Sequence, residues 1–307
     1  MSAIRCPLQE AAQISRHRPA VITPEGLLRF GHLEQCVEAT ASMLETVGIG
    51  AGDRIVLALR PSWRFPIVAM AALRRAAVIC PVDPGLPDPV LVRCVRLAES
   101  TLIITETDWV PRFNRMVNIA AADVQRLTGV VYPGRKNQRP VMLSLVQPAT
   151  MYFVACDDGY RGIIHTVESH YYSAVGANLN IRLRSNDRWL LNMPLHVVSS
   201  ISVLFRCLLS GATMVIPAEG EPLSEALERY EITHVSLTRR EFSDLLRTQC
   251  NRDRFPRLQH IIVRGLPSAD ELQQAESRGF RVHPCYGLPE MASQIAVSSD
   301  RDGPEGR

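Results

Sequence analysis

Lysine is almost missing from this chain. Lys136 is the only one, although lysine and arginine together number 34. Positive sites therefore rest on guanidinium groups, which stay charged and do not serve as tunable amines. A strong net charge is also missing, and at +3 no field is available to hold nucleic acid. Paired cysteines are missing too. The eight cysteines (Cys6, Cys36, Cys80, Cys94, Cys156, Cys207, Cys250 and Cys285) show no C-x-x-C spacing, so reduced thiols are expected rather than a zinc or disulfide framework. The N-terminus shows no basic segment followed by an apolar one, which argues against secretion. The most apolar stretch, 65–81, is broken by Arg74 and Arg75 and is too short to span a bilayer. The expectation is a cytoplasmic protein with no membrane and no nucleic-acid partner.

What is present is ordinary globular composition, 46% hydrophobic and 21% charged, in 307 residues. Apolar residues recur at helical spacing over 32–47, with Gly48 as a C-terminal stop. A short strand over 54–59, a helix over 62–76, a strand over 78–82, a helix over 88–99 and a strand over 101–105 follow. Residues 106–148 are punctuated by Pro111, Pro133, Gly134, Pro140 and Pro148. Alternation then resumes, with strands near 163–167, 189–193, 213–217, 234–237 and 259–263. Helices are expected near 169–183, 199–209, 223–230, 240–250 and 269–278. This pattern predicts two parallel α/β units, 1–148 and 149–307. The tail from Asp300 is polar and reads as loose.

Several motifs stand in a fixed order. Gly48–Val56 reads G-I-G-A-G-D-R-I-V, Cys80–Pro84 reads C-P-V-D-P, and Asp187–Leu190 (D-R-W-L) is followed by Met193-Pro194-Leu195. Thr233–Leu237 reads T-H-V-S-L, and Tyr286–Gln294 reads Y-G-L-P-E-M-A-S-Q. Together they resemble the acyl-CoA synthetase (AMP-binding, adenylate-forming) superfamily, most of all its o-succinylbenzoate–CoA ligases of menaquinone biosynthesis. The resemblance implies two stacked parallel-sheet α/β subdomains of those enzymes' N-terminal domain, lacking the mobile C-terminal domain. It implies adenylation of a small aromatic or aliphatic carboxylic acid with ATP and Mg²⁺, then thioester formation with CoA.

The same resemblance assigns site residues and marks departures. The family's phosphate loop corresponds to Phe153–Thr166, where two aspartates, Asp157 and Asp158, replace threonines and Arg161 stands for a lysine. Gly159, Arg161 and Gly162 are the nucleotide-binding candidates there, and a polar turn between two strands is the alternative. The adenine segment corresponds to Arg264–Pro267, with Gly265 retained and Arg264 in place of a glycine. That arginine could stack on adenine or fill its slot. In the signature, Tyr286 matches the residue that stacks on adenine, Gly287 is a further nucleotide-binding candidate, and Glu290 matches the residue near the phosphates and Mg²⁺. Pro289 replaces a donor threonine and supplies neither hydroxyl nor N–H. The alternative is a turn kept for packing. On the acyl side, His196 lies one place from the family histidine, which corresponds to Val197. Arg206 either meets a substrate carboxylate or lies on a helix surface. The family's ribose-binding aspartate, hinge and C-terminal lysine are not read before Arg307, and Lys136 does not match that lysine. Three readings follow: a ligase weakly active or inactive alone, a non-catalytic binding protein, or one part of a split ligase completed by a separate C-terminal-domain polypeptide.

Overall fold

The structure, a computed structural model, describes residues 2–129, 139–157, 159–248 and 250–298. Lys136, Asp158 and the tail from 299 lie outside the described residues. Two large sheets carry the fold, with a small antiparallel pair, Ala3–Arg5 with Met142–Ser144, beside them. The first has six strands in the order Gly159–Thr166, Pro148–Cys156, Val78–Pro81, Arg54–Ala58, Leu102–Thr105 and Ala121–Asp123. The second has eight, in the order Ser293–Val297, Val282–Leu288, His260–Arg264, His234–Thr238, Arg188–Leu190, Thr213–Val215, Pro19–Thr23 and Gly26–Arg29.

The central strands are parallel because their side chains are apolar on both faces and need helices on each side. Ile55, Val56, Leu57 and Ala58 are all buried, and the strand pairs in parallel with Val78–Pro81 and Leu102–Thr105. The helix expected over 32–47 is Phe30–Thr46, and it buries Leu33, Cys36, Val37 and Leu44. It packs on the helix Arg64–Arg74, where Arg74 reaches Glu34 at 2.6 Å in the interior.

Each sheet borrows strands from the other half of the chain. The hairpin Pro19–Thr23 and Gly26–Arg29 pairs with Thr213–Val215 through Val21 opposite Met214. The hairpin Pro148–Cys156 and Gly159–Thr166 joins the first sheet, with Thr150 beside Ile79. Strand partners so distant in sequence are set by register, which local periodicity does not encode. The sheets therefore do not divide at residue 148. One apolar core runs between them, joining Leu57, Ile79 and Tyr152 to Trp189, Met214 and Ile262. The helices Val167–Asn180 and Val198–Ser210 pack together, and Val167, Ala174, Ile201, Leu204 and Phe205 belong to that core. Among the described residues no helix is long and apolar enough to cross a membrane.

Candidate acid- and nucleotide-binding site

Strand alternation builds a cavity on the inner face of the second sheet. Successive side chains point to opposite faces, so residues two apart share one face. Trp189, His234 and His260 form a lower row across three neighbouring strands. Ser236 and Ile262 lie above them, and Thr238, Arg264 and Cys285 form the row at the strand C-termini. A cavity of about 450 Å³ opens over this face and is also lined by Arg206, His196, Asn192, Pro289 and Gln294.

Arg206 is the cavity's buried cation. The helix Val198–Ser210 is buried on almost every side, and Arg206 is only 3% exposed. The helix-surface alternative for Arg206 is therefore corrected. Its guanidinium lies 4.1 Å from the centroid of the Trp189 ring. Its Nε donates to Asn178 Oδ1 at 2.8 Å, and an Nη donates to the Ile181 carbonyl at 3.2 Å. Among the described residues no carboxylate pairs with it. Burial pulls its pKa down to about 9, which leaves it charged at neutral pH. Two further donors lining the cavity, Trp189 Nε1 and Gln294 Nε2, are buried without partners. Among the described residues the wall holds one carboxylate, Glu241, and it is occupied. It caps a helix through Thr238 at 2.7 and 2.8 Å and accepts from Asn192 at 3.1 Å. A ligand that carries an acceptor group, a carboxylate among them, can satisfy these donors.

The residues matched to the nucleotide have other work here. Pro148–Cys156 pairs antiparallel with Gly159–Thr166 from Cys156 opposite Gly159, which places Gly159, Arg161 and Gly162 on a strand. Gly159 has φ +129°, and a Cβ there would lie 2.2 Å from the Arg93 guanidinium. Gly162 packs against Met151. Arg161 forms an ion pair with Glu290. A Cβ on Gly287 would lie 2.0 Å from the Ser293 carbonyl oxygen, so this glycine lets the last hairpin close. Gly265 donates its N–H to the Cys285 carbonyl at 3.0 Å, while Tyr286 is exposed. ATP and Mg²⁺ lose two of the family's contacts in this arrangement: Glu290 pairs with Arg161, an exposed and therefore weak pair, and Pro289 offers no donor. Among the described residues no group of three metal-binding side chains occurs.

A chain of neutral histidines holds the signature turn, and periodicity gave no sign of it. His165 Nε2 lies 2.7 Å from the Pro289 carbonyl and so donates to it. Thr150 Oγ1 sits 3.4 Å from His165 Nδ1 and 2.8 Å from His170 Nε2. Burial lowers the pKa of His165, and burial with the nearby His165 takes His170 down to about 3. Burial also holds His234 well below its ordinary value. An unfolded chain protonates such groups below about pH 6.5 while the folded chain does not, so stability falls as pH falls. His170, with a folded value of about 3, contributes a slope of up to about 1.4 kcal/mol per pH unit below about pH 6.5, and His165 and His234 act in the same direction. Urea midpoints should drop steeply from pH 7 to pH 5, and less steeply in His170→Gln. Equal slopes would contradict the neutral relay.

Two α/β sheets with a cavity at the strand C-termini, walled by a Y-G-x-x-E turn, define the N-terminal fold of adenylate-forming enzymes. The chain belongs to the AMP-binding enzyme family, whose model matches residues 8–147 and 161–307. The interruption, 148–160, covers Asp157 and Asp158, where the run departs from the family's phosphate loop. The chain is 26% identical over 295 residues to the 2-succinylbenzoate–CoA ligase of Bacillus licheniformis, covering 94% of this chain and 61% of that one. A similar ligase of Bacillus cereus is 25% identical, with 95% and 60% covered. Its fold matches the o-succinylbenzoate coenzyme A synthetase of Bacillus subtilis solved with ATP and magnesium (TM-score 0.86, 22% identity, 99% and 64% covered). It also matches that enzyme with the acyl-adenylate intermediate OSB-AMP (TM-score 0.87, 21% identity, 99% and 63% covered). The chain thus spans about six tenths of the relatives' length.

Proposed function

We propose that this chain is an acid-binding domain of the adenylate-forming family that adenylates its acid weakly or not at all on its own. The observation that carries this reading is the division between the two halves of the site. The acyl side keeps a buried guanidinium with open donors, whereas the nucleotide side has closed on itself. The acid is an o-succinylbenzoate-like carboxylate whose charge meets Arg206 and whose apolar body fills the space beside Trp189 and Ile262. Arg206 binds and orients that carboxylate, and the surrounding apolar wall excludes water. His196 stands at the cavity wall beside the acid. Bound nucleotide with Mg²⁺ would supply charge stabilisation at the developing acyl phosphate. Here it would first have to free Glu290 from Arg161.

A second reading, one part of a split ligase, is supported by Tyr286, Gly287 and Glu290, which match the family signature. In that case a separate C-terminal-domain polypeptide would restore CoA thioester formation. Calorimetry without nucleotide tests the main reading. o-Succinylbenzoate should give saturable binding to the purified chain, and no heat at millimolar acid would contradict it.

A further inference from the structure

We infer that the end of the second sheet opposite the cavity mouth is a docking face for an acidic segment of a partner protein, presented by Arg16, Arg18, Arg29, Arg182, Arg184 and Arg257. It does not rest on the acid-binding reading, because the cavity opens at the other ends of the same strands.

The face follows from strand direction. Pro19–Thr23, Arg188–Leu190 and His260–Arg264 run the same way in the sheet, so the turns that lead into them lie at one end. Those turns hold Arg16 and Arg18, Arg182 and Arg184, and Arg257. Arg29 joins them because it closes its hairpin opposite Pro19. Hydrogen bonds tie the turns together. Arg18 donates to the Ser185 carbonyl and to Asn186 Oδ1, Arg257 to the Asn186 carbonyl at 3.4 Å, and Arg29 to the His17 carbonyl. Ile181 and Leu183 are buried, and by alternation Arg182 and Arg184 are exposed.

Among the described residues none of the six arginines makes an ion pair. Asp187, in the same turn, is buried and accepts the Arg184 N–H at 2.7 Å, and Glu231 pairs with Arg188 at 3.1 Å. The formal +3 of the whole chain conceals this end, since six positive charges here leave −3 for the remainder. Like charges so grouped repel one another, and an anionic partner relieves the repulsion.

The guanidinium groups of Arg18, Arg29 and Arg257 are already held by oxygen acceptors. Forks fixed in this way suit carboxylates held in place on a protein more than the mobile headgroups of a membrane. Two apolar side chains flank them. Ile14, 85% exposed, ends the helix Pro7–Ile14 just before Arg16, and Leu179, 67% exposed, lies near the end of Val167–Asn180 just before Arg182. An acidic segment with apolar residues among its carboxylates matches both features.

The test uses the whole chain and a labelled synthetic peptide of glutamates interspersed with leucines, read by fluorescence anisotropy. Binding should be saturable and should weaken as salt is raised. The side chains of Arg182 and Arg184 make no hydrogen bond or ion pair among the described residues, so the double variant Arg182→Gln, Arg184→Gln should melt as the wild type does. It should bind the peptide roughly tenfold more weakly. Ile14→Ser should weaken the leucine-bearing peptide and leave polyglutamate unaffected. Arg240→Gln, exposed just beyond the opposite end of the strand His234–Thr238, should bind as the wild type does. No binding at low salt would overturn the inference, as would equal binding by the double variant. Tighter binding to phosphatidylglycerol vesicles or to duplex DNA than to the peptide would assign the face to lipid or nucleic acid and overturn it too.

Discussion

Arg206→Met should weaken acid binding by roughly a hundredfold while changing the stability of the fold little. The two effects part because the guanidinium is costly in the empty cavity. Removing a charge from water is unfavourable unless a paired charge compensates, and here hydrogen bonds to Asn178 and Ile181 compensate only in part. Methionine fills a similar volume, and Asn178, which is not fully buried, can turn to water. The change in stability is expected to lie between a loss of about 1 kcal/mol and a gain of about 2 kcal/mol. Acid binding loses a buried, hydrogen-bonded charge pair, about 3 kcal/mol or roughly a hundredfold. Thermal melts read the first quantity and calorimetry the second. A variant that unfolds, or that binds the acid as the wild type does, would remove Arg206 from the role given to it.

Gly287→Ala should destabilise the protein severely, by about 3 kcal/mol or more. A methyl group there meets the Ser293 carbonyl at 2.0 Å, and the obstacle is backbone with no rotamer to yield. Ser293 already sits at φ +111° and Ala292 at φ +54°, so the turn has little freedom left to absorb the change. Ser173 Oγ bonds to the Ala292 carbonyl at 3.2 Å, and His165 to that of Pro289, which tie the same turn to the neighbouring helix and strand. Gly265 offers a contrast, because nothing lies within 4 Å of its would-be Cβ. Its φ of +94° should limit the cost of Gly265→Ala to about 1–2 kcal/mol. If Gly287→Ala melted like the wild type and lost only AMP binding, Gly287 would be a nucleotide contact and not a packing requirement.

Much of the fold was legible because its central elements are local. The strands near 54–58, 78–81, 102–105, 234–238 and 260–264 are short apolar runs between helices of helical period, and the structure places them so. The strand Pro148–Cys156 was not legible. It opens with proline, and its pairing to Ile79 lies far away in sequence. The hairpin Pro19–Arg29 joins a sheet whose next strand begins only at Thr213, for the same reason. Family wording pointed to Arg264 and to the Tyr286–Glu290 turn, of which Arg264, Gly287 and Pro289 line the cavity. It did not show Arg161 turning to Glu290, because an ion pair across 129 residues depends on tertiary placement. Arg206 could have been read as buried, since Ile201, Val203, Leu204, Phe205 and Leu208 surround it on every side of the helix. Trp189 and Gln294 carried no such sign, because an unpartnered donor is visible only once its neighbours are in place.

The proposed division between an acid-binding side and an altered nucleotide side is tested most directly by ATP–pyrophosphate exchange, with o-succinylbenzoate at a concentration that calorimetry shows to be saturating. The expected result is exchange at or near the background rate of the chain without acid. Acid-dependent exchange at a rate typical of a working ligase, on the order of 1 per second or faster, would contradict it.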